Sequence, residues 1–532
     1  MAILTALQEL PISSEVVTGA LVAALALAYI VNTIVVWRSL SHIPGPWWAR
    51  LSNWGFFTDA LKGVQPVKMR EYHDKYGSLI RVGPDTVLTD DPEIVRRITA
   101  VRGRYVRSRW YQALRLDPDR DNLSNIVDDN LHTAMRRKVG PGISGKENES
   151  LETTVDNAVR SFIKLIETKY LSDSGDLRPM DMGSRAQFFT SDVVSELAFG
   201  KSFGNCEADA DFKGYVQAVE ETIVWSSALC LIPSVTMLLV KWPFKYLFYA
   251  EDKALGPVVR VARDAVMARF GPAADKSKDQ KRDMLASFIR NGIPVEQAIG
   301  ESVLQLTAGA DTSATCIRAV ILHLISNHVA YRRLQAEIDR CLADGTISPT
   351  GDIIRDSEGR KMPYLQAVIK ESLRVTPPAS QPFPKVVPPE GDTIAGHFLP
   401  GGIELGYSLM AILRRKDIWG ADADVWRPER WLEADPQKLA LMNSTVDLVF
   451  SHGKWMCLGK NVALMEFNKV FVEIFKRFDI SLVDAFKPLE SMQPGNFLIK
   501  NFWVRITRRE SDDAIAKFAV SGKDLGLGEM VL

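Results

Sequence analysis

The most continuous apolar stretch lies near the N-terminus. Val16–Trp37 is almost wholly apolar, interrupted only by Thr18, Asn32 and Thr33. As a helix rising about 1.5 Å per residue it would span roughly 33 Å, enough for the hydrocarbon core of a bilayer. The pattern predicts a transmembrane anchor. The alternative is a cleaved signal peptide, which the length of the run and the lack of a basic start disfavour.

The charges that flank this run predict its orientation. Glu9 and Glu15 precede it, whereas Arg38 and Arg50 follow it. Basic residues collect on the cytoplasmic side of a membrane. We therefore expect a single-pass protein of the endoplasmic reticulum membrane, with a lumenal N-terminus and the remaining chain in the cytosol.

Beyond this region most of the chain has helical periodicity. Apolar residues recur at steps of three and four over Ile299–Leu324, which predicts a long helix. Pro294 suits its first turn. A second helix is predicted over Pro363–Val375, because Pro377 and Pro378 cannot continue it.

Strand signals are short and few. Leu79–Val82 and Thr86–Thr89 flank the turn residues Gly83–Asp85, and Trp503–Ile506 forms a similar segment near the C-terminal end. The sequence therefore predicts a mainly α fold with minor β structure.

A second apolar stretch has two interpretations. It runs over Leu229–Val240 and continues with four spaced aromatic residues, Trp242, Phe244, Tyr246 and Phe248. It is too short and too interrupted by proline to cross a membrane. It either packs in the core or forms an amphipathic patch that dips into the bilayer surface.

Composition narrows the function classes. Lysine plus arginine equals aspartate plus glutamate, 65 each, so no global charge favours nucleic acid. The five cysteines form no C-x-x-C pair, which argues against a disulfide framework or a structural zinc site. With no repeat or long linker, the expected organisation is a lumenal segment 1–15, an anchor 16–37, a basic proline-containing hinge 38–50, one large domain 51–510, and a tail 511–532 without an assigned role.

One cysteine lies in a glycine-containing loop just before a helix-like run. The spacing is Phe450-x-x-Gly453-x-x-x-Cys457-x-Gly459. Both glycines can adopt positive φ, and a helix beginning near Gly459 would direct its free N–H groups at the sulfur. The loop therefore predicts a thiolate that binds a metal. Most free cysteines are inert buried side chains, which is the alternative.

The predicted long helix contains a polar interruption. Ala308, Gly309, Asp311 and Thr312 lie close together in an otherwise apolar setting. The Thr312 hydroxyl can bond to the carbonyl of Ala308 and open the helix locally. The expected result is a small polar notch; a solvent-facing turn is the alternative.

Two charged patterns complete the set. Glu371 and Arg374 are three residues apart on one predicted helix face, an arrangement common on exposed surfaces. His132 and Arg136 are four residues apart and also share a face, and a surface helix is the alternative for them.

Together these motifs resemble those of the cytochrome P-450 family. The Gly453-Lys454-Trp455 form of the cysteine loop is similar to that of the fungal pisatin-demethylase-like branch. Where Ser451 stands the family usually has a second glycine. Where Trp455 stands it usually has arginine or histidine to meet a haem propionate. The resemblance implies the cytochrome P-450 fold, with a long central helix, haem-side helices and small sheets.

The resemblance also implies roles for individual residues. Cys457 would be the axial ligand of the haem iron. The other implied haem contacts are Phe450, Gly453, Gly459, Ala308, Gly309, His132, Arg136 and Lys385. Asp311 and Thr312 would relay protons to dioxygen, and Glu371, Arg374 and Arg430 would form a buried structural triad. The implied substrate contacts are Leu304, Ala308, Ala379, Ser380, Gln381, Phe497 and Leu498.

The implied function is a haem-thiolate monooxygenase that oxidises a hydrophobic small molecule, such as a fungal terpenoid, alkaloid or polyketide intermediate. Its cofactor would be haem b, its co-substrates O2 and NADPH, and its partners a bilayer and an NADPH-cytochrome reductase. Two alternatives are a haem-thiolate isomerase or dehydratase without external electrons and a non-catalytic haem- or sterol-binding membrane protein.

Overall fold

The computed structural model describes residues 14–509, apart from residues 116, 118 and 149 and the segments 212–213, 242–255, 271–282 and 349–352. Most of the described residues lie in helices, and the strands are short. The prediction of a mainly helical fold with minor sheet is therefore confirmed.

The α-helices, labelled in chain order, are α1 (Ser14–Ser39), α2 (Trp54–Leu61), α3 (Gln65–Tyr76), α4 (Pro92–Thr99), α5 (Trp110–Ala113), α6 (Asp129–Ile143), α7 (Leu151–Leu165), α8 (Met182–Phe199), α9 (Asn205–Ala208), α10 (Tyr215–Leu229), α11 (Pro233–Leu239), α12 (Gly256–Phe270), α13 (Met284–Arg290), α14 (Val295–Ile325), α15 (His328–Ala343), α16 (Asp356–Gly359), α17 (Pro363–Val375), α18 (Leu409–Ile412), α19 (Lys416–Trp419), α20 (Arg430–Glu433), α21 (Pro436–Val446) and α22 (Lys460–Arg477). Short 3₁₀ turns cover Trp47–Arg50, Asp447–Phe450 and Gly453–Trp455, and a π-turn covers Ile166–Tyr170.

The strands are β1 (Leu79–Arg81), β2 (Thr86–Thr89), β3 (Val106–Arg107), β4 (Leu171–Ser172), β5 (Met180–Asp181), β6 (Lys385–Val386), β7 (Asp392–Ile394), β8 (His397–Leu399), β9 (Glu404–Tyr407), β10 (Phe478–Leu482), β11 (Glu490–Met492), β12 (Leu498–Lys500) and β13 (Trp503–Arg508).

The largest sheet within the described residues has the strand order β1-β2-β9-β6-β3. β1 and β2 form the antiparallel pair predicted around Gly83–Asp85, with Leu79 opposite Thr89. β2 then runs parallel to β9, with Thr86 opposite Glu404. This sheet brings β3 and β6, which are distant in sequence, next to each other.

Helix α14 is the central element of the fold. It packs against α8, α12, α17 and α22, and its 31 residues include the predicted periodic stretch. Pro294 caps this helix one residue before it begins, instead of lying in its first turn as predicted. Helix α17 begins at Pro363 and ends at Val375, as predicted.

Helix α1 covers the predicted membrane anchor. Among the described residues, however, no helix combines the length and the apolar character needed to cross a bilayer. The anchor therefore stays a prediction. The hinge that follows is packed on the sheet, because Leu40 and Ile43 are buried and the N–H of Arg81 donates to the Pro44 carbonyl (2.8 Å).

The second apolar stretch is partly described. Helix α11 lies inside it, with Thr236 buried and Val235 and Leu238 exposed. Trp242, Phe244, Tyr246 and Phe248 lie outside the described residues. The described part therefore combines a face that packs on the protein with an apolar face that does not.

Candidate active site

The cysteine loop is held by its own backbone. The N–H of Cys457 donates to the Phe450 carbonyl (2.8 Å), which closes the loop around the 3₁₀ turn Gly453–Trp455. Gly459 caps α22, so the helix begins immediately after the loop. These contacts fix the sulfur beside the N-terminal end of α22.

Gly453 is the glycine that this loop requires. Its φ is +61°, and an added Cβ would lie 2.0 Å from the Thr99 carbonyl oxygen. No side chain fits so close to another backbone. The prediction that Gly459 also uses positive φ is wrong, since its φ is −83°. As the N-cap of α22, Gly459 lies outside the left-handed region.

Ser451 adopts an unusual backbone conformation. Its φ is +60° and its ψ is −172°, a region that is nearly restricted to glycine. The side chain has a compensating interaction, because Ser451 lowers the pKa of the Tyr407 phenol, which burial raises to about 12. The loop thus keeps the shape that glycine would allow, at some cost in backbone strain.

The Cys457 sulfur faces an internal cavity of about 400 Å³. The N–H groups of Gly459 and Lys460 donate to it, and the Arg136 guanidinium lies near. All three lower the pKa of the thiol, as expected for a helix N-terminus. Burial outweighs them and raises that pKa overall. A cation at the sulfur would favour the anionic form of the thiol.

Helix α14 forms the opposite part of the cavity wall. The Thr312 hydroxyl donates to the Ala308 carbonyl (2.8 Å), and both residues line the cavity. The expected local opening is not seen, because α14 is continuous through this region. Gly309 permits close helix packing, since a Cβ there would lie 2.7 Å from Cγ2 of Val194.

Asp311 is buried and is not among the described residues that line the cavity. Gln187 Nε2 donates to its carboxylate (3.4 Å), and Arg318 Nη2 donates to Gln187 Oε1 (2.7 Å). Burial raises the pKa of Asp311, while Arg318 opposes that rise. The acid and the threonine of the sequence motif therefore point to different sides of α14.

The three residues of the expected triad meet in the core. Glu371 accepts two hydrogen bonds from Arg374 (2.8 and 2.9 Å) and one from Arg430 (2.9 Å). Trp431 Nε1 and the backbone N–H of Arg427 also donate to it. Because every charge has several partners, the desolvation of this buried cluster is offset.

Some of the basic side chains near the cavity face it, and others point away from it. His132 and Arg136 line it from α6, and Arg136 also donates to the Met456 carbonyl (2.7 Å). Lys385 does not face the cavity. Its ammonium donates to the Tyr111 hydroxyl (2.6 Å) and lies over the Trp455 ring. Burial lowers the pKa of Lys385 well below its ordinary value, and neither the Tyr111 hydroxyl nor the Trp455 ring supplies a negative charge to oppose it.

Arg107 is a cavity residue that sequence reasoning missed. It lies on β3 and donates to the Leu123 carbonyl (2.7 Å). Its Nε–H is buried without a partner among the described residues, and so is Nε1–H of Trp455. A single arginine on a two-residue strand carries no spacing signal. Only the folded sheet brings it to this edge.

These donors fit the propionate edge of a haem. Arg107, Arg136 and Trp455 present N–H groups, and two of those groups are orphaned. Among the described residues, Asp129 offsets only part of this charge, since it attracts Arg107 and also pairs with Lys454. Burial and the neighbouring cations lower the pKa of His132 to about 3, so its ring is neutral at physiological pH. A pair of carboxylates would satisfy both the free donors and the excess charge.

The expected substrate residues divide into two groups. Leu304, Ala308 and Ala379 line the cavity. Ser380, Gln381, Phe497 and Leu498 are buried and are not among its described lining residues, so they are corrected to positions behind the wall. Ser380 and Gln381 satisfy their polar groups there, with the Pro377 carbonyl (3.2 Å) and the Ser227 hydroxyl (3.4 Å). The sequence analysis missed Leu123, Ser124, Gln305 and Phe383.

Comparison with known proteins agrees with this geometry. The family model described as Cytochrome P450 matches residues 43–502. Cytochrome P450 monooxygenase ABA1 of Pyricularia oryzae is 38% identical over 499 residues, covering 92% of this chain and 96% of the relative. Cytochrome P450 monooxygenase aba1 of Botryotinia fuckeliana is 34% identical over 482 residues, covering 89% and 93%.

Trp455→Phe should weaken haem retention, because it removes the orphaned N–H and keeps an aromatic ring for the neighbouring cations. A hydrogen bond to a charged group contributes roughly 1.5–3 kcal/mol, so haem should leave at least about tenfold faster. Transfer of haem to excess apomyoglobin, followed by absorbance, measures the rate. Trp110→Phe is the matched control, since its N–H is also buried and unpaired but does not line the cavity. Equal rates in both variants would contradict the assignment.

Proposed function

The chain belongs to the cytochrome P450 family and is a monooxygenase, and we propose that it oxidises a hydrophobic small molecule of fungal specialised metabolism on a haem held by Cys457. One observation carries the proposal. A single cavity joins the Cys457 sulfur to the polar notch formed by Thr312 and Ala308. Its wall is otherwise largely apolar, which suits a hydrophobic substrate.

The loop and the cavity edge would hold haem b in a defined orientation. Cys457 would bind the iron, and Arg107, Arg136, His132 and Trp455 would meet the propionates. When bound in this way, the thiolate-ligated haem supplies activation of dioxygen, for which electron donation from the sulfur favours cleavage of the O–O bond. The protein supplies the ligand, the orientation and a site shielded from water.

Thr312 is the proton-handling group that faces the cavity. Its hydroxyl donates to the Ala308 carbonyl, which leaves the hydroxyl oxygen free to accept a proton donor from the cavity side. Asp311 follows it on α14 but is directed at Gln187. We assign Thr312 the role of holding a proton donor in the cavity. Asp311 is buried away from the cavity, so it would take part in proton transfer only after a side-chain rotation or through a water molecule.

The electrons would come from NADPH through a reductase. Beside the cavity, helix α6 carries Arg137 and Lys138 on its exposed face. This basic surface would suit an acidic redox partner.

A membrane location fits the N-terminal part of the chain. The apolar run Val16–Trp37 would anchor it. Trp47 in the hinge and Trp54 just after it are exposed, as are Val235 and Leu238 of α11. The Asn53 side chain donates to the Leu231 carbonyl (3.1 Å), so these two apolar segments are neighbours. Together they would lie on the bilayer surface next to the anchor.

Cys457→Ala should abolish the red-shifted Soret band of the reduced carbonyl complex, because that band requires a sulfur anion at the iron. The measurement is the absorbance difference between the reduced protein with and without carbon monoxide. Cys316→Ala is the matched control, since Cys316 is buried in α14 away from the cavity. A band that survives in Cys457→Ala would remove the proposal.

Thr312→Ala should increase the hydrogen peroxide formed per NADPH several-fold, because the cavity would lose its hydroxyl for proton delivery. Peroxide and NADPH are measured together with a cytochrome P450 reductase. Thr312→Ser restores the hydroxyl and should return the ratio toward the wild-type value. An unchanged ratio in Thr312→Ala would contradict the role assigned to this residue.

Deletion of residues 1–37 should shift the protein from the carbonate-resistant membrane pellet toward the soluble fraction, since it removes the apolar run. The exposed side chains of Trp47, Trp54, Val235 and Leu238 should keep part of the truncated protein bound to vesicles when carbonate is absent. Immunoblots of the fractions measure both. If the full chain is itself released by carbonate, the anchor proposal fails.

A further inference from the structure

We propose that Gln305 binds an oxygen function of the substrate and thereby sets which part of the molecule reaches the notch at Thr312. The substrate would be an otherwise apolar molecule that carries a hydrogen-bond-accepting oxygen, as in a ketone, ester or carboxylic acid. This inference rests on the proposed function, because it concerns the same cavity.

Gln305 is unusual among the polar residues of the cavity wall. Elsewhere in the wall these side chains are mostly bonded within the protein. Ser124 donates to Asn122, Tyr111 accepts from Lys385, and Thr312 donates to Ala308. The side chains of Ser313 and Ser451 interact with Glu466 and Tyr407 and lower the pKa of those groups. Gln305 also lines the cavity, its side chain is half-buried, and no described residue forms a hydrogen bond with its amide.

The other unpartnered polar groups of the wall belong to other parts of it, and one of them, Glu466 Oε2, lies on α22. His132 lies on α6, and Trp455 and Arg107 stack against each other beside the cysteine loop. Those groups match the carboxylates of the haem. Gln305 lies instead on α14, on the same helix as the notch, so we assign it to the substrate and not to the cofactor.

An amide facing an apolar cavity is unfavourable unless something satisfies it. Leaving such a group without a partner costs on the order of 1–3 kcal/mol in proteins. Its neighbours on the cavity wall include Leu304 and Ala308, which offer no side-chain partner. Water or a ligand oxygen must therefore complete the amide, and a substrate that supplies that oxygen would be favoured over its hydrocarbon counterpart.

Helix α14 fixes the distance between Gln305, which would hold the substrate, and Thr312 at the reaction site. Gln305 and Thr312 are seven residues apart, which is about two turns, so they lie on the same face. At 1.5 Å per residue their separation along the axis is about 10 Å. A substrate held by its oxygen at Gln305 would therefore present carbons remote from that oxygen to the notch, and oxidation should occur at the far end of the molecule.

Two probes of one skeleton test this inference. 4-Phenylcyclohexanone carries the oxygen, and phenylcyclohexane lacks it. Both are titrated by calorimetry into the haem-loaded full chain in detergent. Gln305→Leu should weaken ketone binding about fivefold, the effect of one net hydrogen bond. It should leave hydrocarbon binding unchanged or slightly tighter.

Further variants identify the group responsible. Gln305→Glu keeps the size but offers no N–H when ionised, so it should bind the ketone as weakly as Gln305→Leu. Thr307→Val is the matched control on the same helix, because the Thr307 hydroxyl already bonds to the Val303 carbonyl (2.9 Å) and does not line the cavity. It should behave as wild type.

The outcomes are distinct. Equal loss of ketone and hydrocarbon binding in Gln305→Leu would overturn the inference, as would a wild type that does not prefer the ketone. Failure of the proposed function is recognised separately, by a missing Cys457-dependent carbonyl band. The preference for the ketone can be measured whether or not that band forms.

Discussion

The arrangement depends on one constraint, which is that a single sulfur must be presented to a cavity from a loop with almost no freedom. The N–H of Cys457 is fixed on the Phe450 carbonyl. Gly453 passes so close to the Thr99 carbonyl that no Cβ fits. The loop is therefore tied to α4 on one side and to the beginning of α22 on the other. Burial raises the pKa of the Cys457 thiol, and a cation at the sulfur would act in the opposite direction.

The buried charges of the Glu371 cluster and those at the cavity edge differ in how fully they are hydrogen-bonded. The carboxylate of Glu371 accepts hydrogen bonds from two arginines, an indole and a backbone N–H, so this cluster braces α17 against α20 and the segment just before it. At the cavity edge, Arg107 and Trp455 keep donors free. The first arrangement is closed and structural, whereas the second is open toward a ligand.

Sequence patterns that depend on local spacing were informative. Periodicity located α14 and both ends of α17, since helical period and proline placement act within one segment. The direction of individual side chains was less predictable. Ser380, Gln381, Phe497 and Leu498 occupy positions implied by resemblance, yet neighbouring elements turn them into the core. Asp311 and Lys385 likewise follow partners that are distant in sequence, Gln187 and Tyr111. Arg107 could not be found from the sequence, because its role arises only when β3 joins the sheet.

The strained backbone at Ser451 has an evolutionary consequence. A residue other than glycine in this conformation costs roughly 1–3 kcal/mol, and the interaction of Ser451 with Tyr407 acts against that cost. The present serine is therefore a compromise that ties two walls of the cavity together. Substitution of Tyr407 would leave the serine with its strain and without its partner, so drift at these two positions should be correlated, with glycine at 451 as the state that frees the aromatic side chain to change.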